Sequence, residues 1–545
     1  MPLSLEANNG LKMKFPVTFI ALFLIVSSGC KANVSTVSKT ARDTTINKNN
    51  SFAGIFLDSL TLEEFIVSEK VADEFASGLR NFYNSRNFQF AWFSQKGIAE
   101  HTPAFWNLQQ SYIELSKDSL LFDKGLSDRI TVLLNSTELP QNPTKEISET
   151  ELRLTAHFFK YAKHAYAGKM NPKELQWHIP RRKVNPSILL DSLINNKGQH
   201  VESWEPVNPQ YNLLKEKLME YYALEKTGSW IGASDYGDKS FKPQDTSSII
   251  TIIKKRLIAL GDYKSEDTTA EYHSDFRQAV MKFEKRHGLT PDGIIDKAFF
   301  TALNVSSDDR IKTLLINMER MRWLPREPSG NYILANIPDF RLHVFENSKK
   351  IFDMKIIVGK SANRTVIFSD VIKFIVFAPY WNVPESIVRN ELLPEMKKNS
   401  GYLSAHNMEI TGYQNGLPVI RQRPGKNNSL GLVKFIFPND YNIYFHDTPA
   451  KALFSKEIRA FSHGCIRIAE PTKMANYLLR NQPEWSPEKI KKLMNNSTEK
   501  WVTLKEPLPV VITYFTAWVD RDGLLNFRED IYGNDEKMAK LLFTE

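Results

Sequence analysis

Cysteine is nearly absent: 545 residues contain only Cys30 and Cys465. That excludes a disulfide scaffold and any zinc site needing several thiolates. One bridge between the two, or a separate chemistry for each, stays open. Long hydrophobic runs are also lacking. The apolar run 15–26 near the N-terminus has twelve residues, fewer than the about 20 a membrane-crossing helix needs. Neither sign of charge dominates, since 71 Lys and Arg stand against 62 Asp and Glu, leaving +9. This mild excess suits a polyanionic neighbour. No basic stripe is interleaved with aromatics, so a nucleic-acid partner is not expected. No His-Glu-x-x-His occurs, and metalloprotease chemistry has no support. Asp520-Arg521-Asp522-Gly523 starts like a calcium loop, but its twelfth position is Ile531 rather than glutamate, so it reads as a hairpin turn. No metal and no cofactor is called for. What remains is ordinary globular composition, 42% hydrophobic and 24% charged, with length for three or four domains of about 150 residues.

The N-terminus is more specific. Lys12 and Lys14 precede the apolar run, and Ser27-Ser28-Gly29-Cys30 follows it. A short basic region, a short apolar core and small residues form an export signal. Ser-Gly-Cys resembles the lipobox of bacterial lipoproteins, although Ser27 stands where an aliphatic residue is usual. The resemblance implies residues 1–30 as signal, lipid attachment at Cys30, a membrane partner through that anchor, and a place on the periplasmic side of the envelope. Residues 31–50, rich in Ser, Thr, Asn and Lys, read as a flexible tether.

Residues 51–243 read as a mostly helical scaffold. Thr61 with Glu64 has the form of a capping box, and apolar residues recur at helical spacing from 149 to 168. Residues 244–305 form a compact unit of three helical patterns. Gly288 sits at a helix end, and Pro291-Asp292-Gly293 marks a turn. This unit resembles the three-helix peptidoglycan-binding module through Phe283, His287-Gly288-Leu289, Asp292-Gly293 and Leu303-Asn304. Asp296 and Phe299 depart from its usual Gly and Thr. A helical spacer that binds no glycan is the competing reading.

From 330 to 515 the signal is mostly β. Runs at 332–337, 342–345, 351–358, 371–378, 433–437, 443–445 and 510–515 are rich in β-branched and aromatic residues. A less regular insertion, about 385–430, polar and turn-rich, has the size of a lid. A helix is expected after Pro471, and 516–545 reads as a C-terminal extension. The expected fold class is α+β and multidomain.

The chemistry concentrates in Ile443-Tyr444-Phe445-His446 and Ser462-His463-Gly464-Cys465-Ile466-Arg467. Cys465 lies two residues after His463 and two before Arg467. A neighbouring imidazolium or guanidinium lowers a thiol's pKa from its usual value near 8.5. Gly464 lets backbone approach a substrate closely. His446 ends a strand, where its side chain can enter a cleft. Cysteine plus histidine is the minimum for nucleophilic acyl transfer; a buried inert cysteine beside structural histidines is the alternative.

His446, fifteen residues, then Ser462-His463-Gly464-Cys465, an aliphatic residue and Arg467 resemble the signature of L,D-transpeptidases of the YkuD-like family. Met318 to Trp323, Asn336-Ile337-Pro338, Val358-Gly359-Lys360, Pro379 to Pro384 and Arg459-Ala460-Phe461 resemble its large periplasmic branch. The resemblance spans about 55–535. It implies a peptidoglycan L,D-transpeptidase: Cys465 as nucleophile, His446 as proton donor and acceptor with a backbone carbonyl behind it, and a tetrapeptide stem as donor that loses D-Ala. A second stem would resolve the thioester into a 3→3 cross-link, and carbapenems would acylate the thiol. Backbone N–H groups around Gly464 and Cys465, with Tyr444, His463 and Ser462, are candidate oxyanion and substrate groups. Arg467 suits a substrate carboxylate, with a structural ion pair as the alternative. An L,D-carboxypeptidase, an amine- or protein-attaching transferase, and a catalytically silent wall-binding lipoprotein are the rivals. Stem peptides and glycan are the expected partners.

Overall fold

The computed structural model describes residues 40–135, 144–180, 183–201, 208–228, 230, 239–324 and 330–543. The export segment and Cys30 lie outside the described residues. Residues 40–50, the described part of the expected tether, lie against a helix end. Thr40 donates its N–H to Asn81 Oδ1 at 3.0 Å, and Asp43 donates to the Asn84 carbonyl at 2.9 Å.

A first core is built by helices Ser59–Ser68, Asp73–Asn84, His101–Ser116, Lys124–Leu134, Lys145–Ala162 and Pro186–Asn195. The first helix is capped by Asp58, whose carboxylate accepts from Leu60 N–H, so Thr61 and Glu64 fall inside it rather than at its cap. Asp58 is the better cap because its short carboxylate reaches the free N–H groups of the first turn. Glu151 is fully buried and accepts from the N–H groups of Ala91 and Trp92 and from Tyr83 Oη.

The three-helix unit comprises Ser248–Ala259, Ser274–Arg286 and Lys297–Leu303 around its own core. The two departures noted above have local causes. Asp296 caps the third helix, accepting from Phe299 N–H at 2.9 Å, and Phe299 fills the core.

Nine strands form the main sheet: β1 (Tyr332–Asn336), β2 (Arg341–Glu346), β3 (Lys349–Gly359), β4 (Ser369–Phe377), β5 (Val433–Ile436), β6 (Phe445–His446), β7 (Ala460–Ser462), β8 (Ile466–Ile468) and β9 (Lys500–Thr513). The spatial order is β7-β3-β8-β6-β5-β4-β9-β1-β2, and β2 pairs back onto β3, closing the sheet. Val433, Phe435, Phe445, Ile466 and Ile468 are buried on the core face, so the residues between them face the other side. The expected helix after Pro471 is present as Pro471–Leu479.

The insertion is more ordered than its polarity suggests. Trp381–Asn382, Met408–Gln414 and Leu417–Gln422 make a three-stranded sheet, and Val383, Ile387, Val388, Leu392 and Ile420 make a small core. Too few apolar residues supply that core for the periodicity to stand out in sequence.

Several segments join the sheet's core from outside the range 330–515. Helix Ser307–Trp323 is capped by Ser306 and buried nearly all round. Its Arg320 pairs with Asp535 at 2.7 Å, and Arg322 donates to the Ala165 carbonyl and to Tyr211 Oη, both at 2.9 Å. Tyr211, Leu214 and Leu218 of helix Pro209–Lys226 enter the same core, as do Ala517, Phe527, Tyr532 and Met538. The C-terminal segment is thus part of the sheet's core rather than an appendage. Its Asp520–Gly523 turn joins strands Ala517–Val519 and Leu525–Phe527.

Candidate active site

Strand register assembles the site. β6 runs parallel to β8, with Phe445 opposite Ile466 and His446 opposite Arg467. Tyr444 and Cys465 precede His446 and Arg467 by two residues, and side chains alternate with period two, so all four share one face. The Tyr444 and His446 rings lie 5.8 Å apart. On the other flank of β6, Lys434 of β5 is opposite His446.

The loop before Cys465 is held by its own hydroxyl. Ser462 Oγ donates to the Cys465 carbonyl at 2.5 Å and accepts the Gly464 N–H at 3.2 Å. Gly464 has φ +114°, which disfavours a side chain. Beneath it, Thr365 Oγ1 donates to the Gly464 carbonyl at 2.8 Å and accepts the Gly359 N–H at 2.9 Å. Tyr532 Oη donates to the Gly359 carbonyl at 2.6 Å and accepts the Thr365 N–H. A Cβ on Gly359 would collide with the Asn363 carbonyl.

The Cys465 thiol donates to the Asn442 carbonyl at 3.4 Å. Asn442 adopts φ +55° in a turn braced by Asn439, whose Oδ1 accepts from Tyr441 and Ile443 N–H. Burial raises the thiol's pKa, against the pull of the Tyr444 N–H and hydroxyl and the Arg467 guanidinium. This corrects the expectation of a lowered pKa: desolvation of the charged form wins over the nearby donors. His446 Nδ1 lies 2.5 Å from the Asp447 carbonyl. A carbonyl only accepts, so Nδ1 carries the hydrogen and Nε2 keeps its lone pair. Burial, then the cations Arg467, Lys434 and Lys451, lower the imidazole's pKa to about 3. The resting pair is therefore a neutral thiol and a neutral imidazole.

The remaining candidates separate. The Gly464 N–H is occupied by Ser462, which removes it from the possible oxyanion donors. His463 turns to the insertion, its Nε2 2.7 Å from Glu391 Oε1, and so does not face the thiol as a neighbouring imidazolium. Arg467 Nε is buried without a hydrogen-bond partner among the described residues, so the ion pair held open for it has no support there.

Several residues bearing on the site were missed. Thr365, Asn442, Glu391 and Tyr532 reach it only through tertiary contacts and carry no local signal, whereas the Asp447 carbonyl comes from the residue next to His446. Gly359 did have one, as the small residue of Val358-Gly359-Lys360. A cavity of about 2080 Å³ lies elsewhere, between the three-helix unit and the sheet, and includes neither Cys465 nor His446.

Comparison with known proteins gives three matching family models. Residues 330–505 match the L,D-transpeptidase catalytic domain YkuD, residues 77–218 a scaffold domain, and residues 246–303 the "Putative peptidoglycan binding domain". A Haemophilus influenzae protein named "Putative L,D-transpeptidase" is 30% identical over 241 residues, covering 41% of this chain and 48% of that one. The chain thus spans about half the length of that curated relative. Among solved structures, an L,D-transpeptidase of Xylanimonas cellulosilytica is 14% identical and covers 51% of this chain and 100% of its own, with TM-score 0.17. An L,D-transpeptidase of Stackebrandtia nassauensis is 16% identical and covers 52% of this chain and 97% of its own, with TM-score 0.18. At those TM-scores the chains do not superpose over their length.

Proposed function

We propose that this chain, which carries a YkuD L,D-transpeptidase catalytic domain, acts as a peptidoglycan L,D-transpeptidase that forms 3→3 cross-links through a thioester on Cys465. The observation that carries this reading is the pairing on one sheet face of a thiol and an imidazole whose Nδ1 is engaged by the Asp447 carbonyl. An imidazole so held presents Nε2 as a base.

In this reading a tetrapeptide stem lies across the face with the carbonyl of its third residue at Cys465. Sulfur bonds to that carbon as Nε2 of His446 takes the thiol proton. The C–N bond to D-Ala breaks, and the leaving amine takes the proton back from the imidazolium. Proton transfer and attack are concerted because both groups start neutral. Tyr444 Oη and the Cys465 N–H are the assigned oxyanion donors, a contribution of about 10²–10³ in rate. Arg467, whose Nε has no hydrogen-bond partner among the described residues, receives a donor carboxylate. The amine of a second stem then attacks the thioester, giving its proton to His446 while Cys465 regains one. The thioester retains much of the amide's free energy, so no nucleotide is needed.

Purified disaccharide-tetrapeptide incubated with the enzyme and read by mass spectrometry tests this. Cross-linked dimer and free D-Ala are expected from wild type, and neither from Cys465→Ala. Tripeptide alone would mean water is the acceptor, and the transferase reading would fall. The same reading places the chain on the periplasmic side of the envelope, anchored by lipid on Cys30. Detergent partitioning of wild type into the lipid phase, lost in Cys30→Ser, is the expected outcome.

A further inference from the structure

One row of residues crosses the sheet at the level of His446. Trp501 is opposite Val376, Val376 opposite Lys434, Lys434 opposite His446, and His446 opposite Arg467. Arg467 and Lys434 therefore stand on the two strands that neighbour His446, with backbones spaced about 4.8 Å apart. Arg467 is on the Cys465 side. Lys434 is on the far side, its side chain only 14% exposed, beside the half-exposed Trp501 ring at 5.4 Å.

Lys434 is under-used by the protein. Its ion-pair partner among the described residues, Glu499, is 3.8 Å away, beyond hydrogen-bond length. Both Glu499 oxygens are otherwise engaged, Oε1 by Tyr380 N–H at 3.0 Å and Oε2 by Trp501 Nε1 at 2.8 Å. A mostly buried ammonium with three donors and no acceptor at hydrogen-bond length among the described residues is costly unless something else takes them.

Geometry says what arrives there. The attacking amine must reach the thioester while passing a proton to His446, so it comes against the imidazole. Arg467 and Cys465 occupy one side of His446, which leaves the Lys434 side for the acceptor. A carboxylate on the same carbon as that amine would then fall near Lys434. We infer that Lys434 binds the acceptor's carboxylate, so that a stem whose side-chain amine and a carboxylate share one carbon is preferred over a stem with a bare side-chain amine. This rests on the transferase reading above and adds the acceptor's chemical class to it.

The test offers one acyl donor with three tripeptide acceptors, ending in meso-diaminopimelate, in its side-chain-end amide, or in lysine. Wild type should show an acceptor KM at least tenfold lower for the free carboxylate than for the other two. Lys434→Met should raise the diaminopimelate KM about tenfold and level the three acceptors. Because Lys434 also bears on the His446 imidazole, the D-Ala burst is measured alongside, and the ratio of KM between acceptors is the readout. Lys434→Arg should restore most of the preference. Wild type that does not discriminate, or Lys434→Met that still discriminates, would each overturn the inference. Wild type that releases no D-Ala and forms no dimer would overturn the transferase reading, and this inference with it.

Discussion

The resting protonation of two side chains gives sharp expectations. Burial holds the Cys465 thiol neutral, and Arg467 pulls against it. Alkylation of wild type by iodoacetamide at pH 7 should be slower than that of an exposed cysteine, and its rate should climb above pH 8.5. Arg467→Met removes a cation that favours the thiolate, so its rate–pH profile should shift upward and alkylation at pH 8 should slow several-fold. For His446 the folded pKa of about 3 is below the unfolded value near 6.5. Between them the unfolded chain binds more protons, so this residue's contribution to stability is complete above pH 6.5 and is lost as pH falls toward 3. Denaturant titrations at pH 4 and 7 should show a smaller pH slope in His446→Gln than in wild type. Thr365→Val keeps the shape of the side chain but leaves the Gly464 carbonyl and Gly359 N–H unpaired. It should cost about 1–3 kcal/mol, read as faster amide exchange in residues 462–466.

At the scale of elements, the insertion meets the Cys465 loop through His463 and Glu391. Their side chains are 37% and 52% exposed, so the pair is worth at most about 1 kcal/mol. Glu391→Gln should therefore raise donor KM by fivefold or less, with the difference fading at high salt. A larger, salt-independent effect would mean Glu391 touches substrate. The elements also show what patterns reveal. Strands β1 to β5 were legible because apolar and β-branched residues alternate or cluster in them, and the register then follows from burying one face. The cap of the first helix was misread because Thr-x-x-Glu and Asp58 both satisfy the local rule, and only backbone entry chooses. The insertion hid its sheet because its core is five residues among many polar ones.

At the scale of the molecule, helix Ser307–Trp323 ties the scaffold to the sheet. Arg322 joins the Ala165 carbonyl, Tyr211 and Glu319 in a buried network. Arg322→Met would leave Glu319 buried without that cation, at a cost of about 3–5 kcal/mol. Thermal unfolding should show a lower midpoint, and proteolysis should separate the scaffold more readily.

The sequence by itself determined the local chemistry. The spacing of Tyr444 to His446 and Cys465 to Arg467 follows the two-residue period of strands, so the residues sharing a face could be read in order. It also marked the three-helix unit and the β region, since both rest on short-range periodicity. Only the tertiary structure decided which way each group is used. Desolvation, a property of everything packed around the thiol, set its protonation against the local expectation. Ser462 took the Gly464 N–H, His463 went to Glu391, and Lys434 came to flank His446 through pairing between strands apart in the chain. Those outcomes depend on burial and on long-range register, which no local pattern encodes.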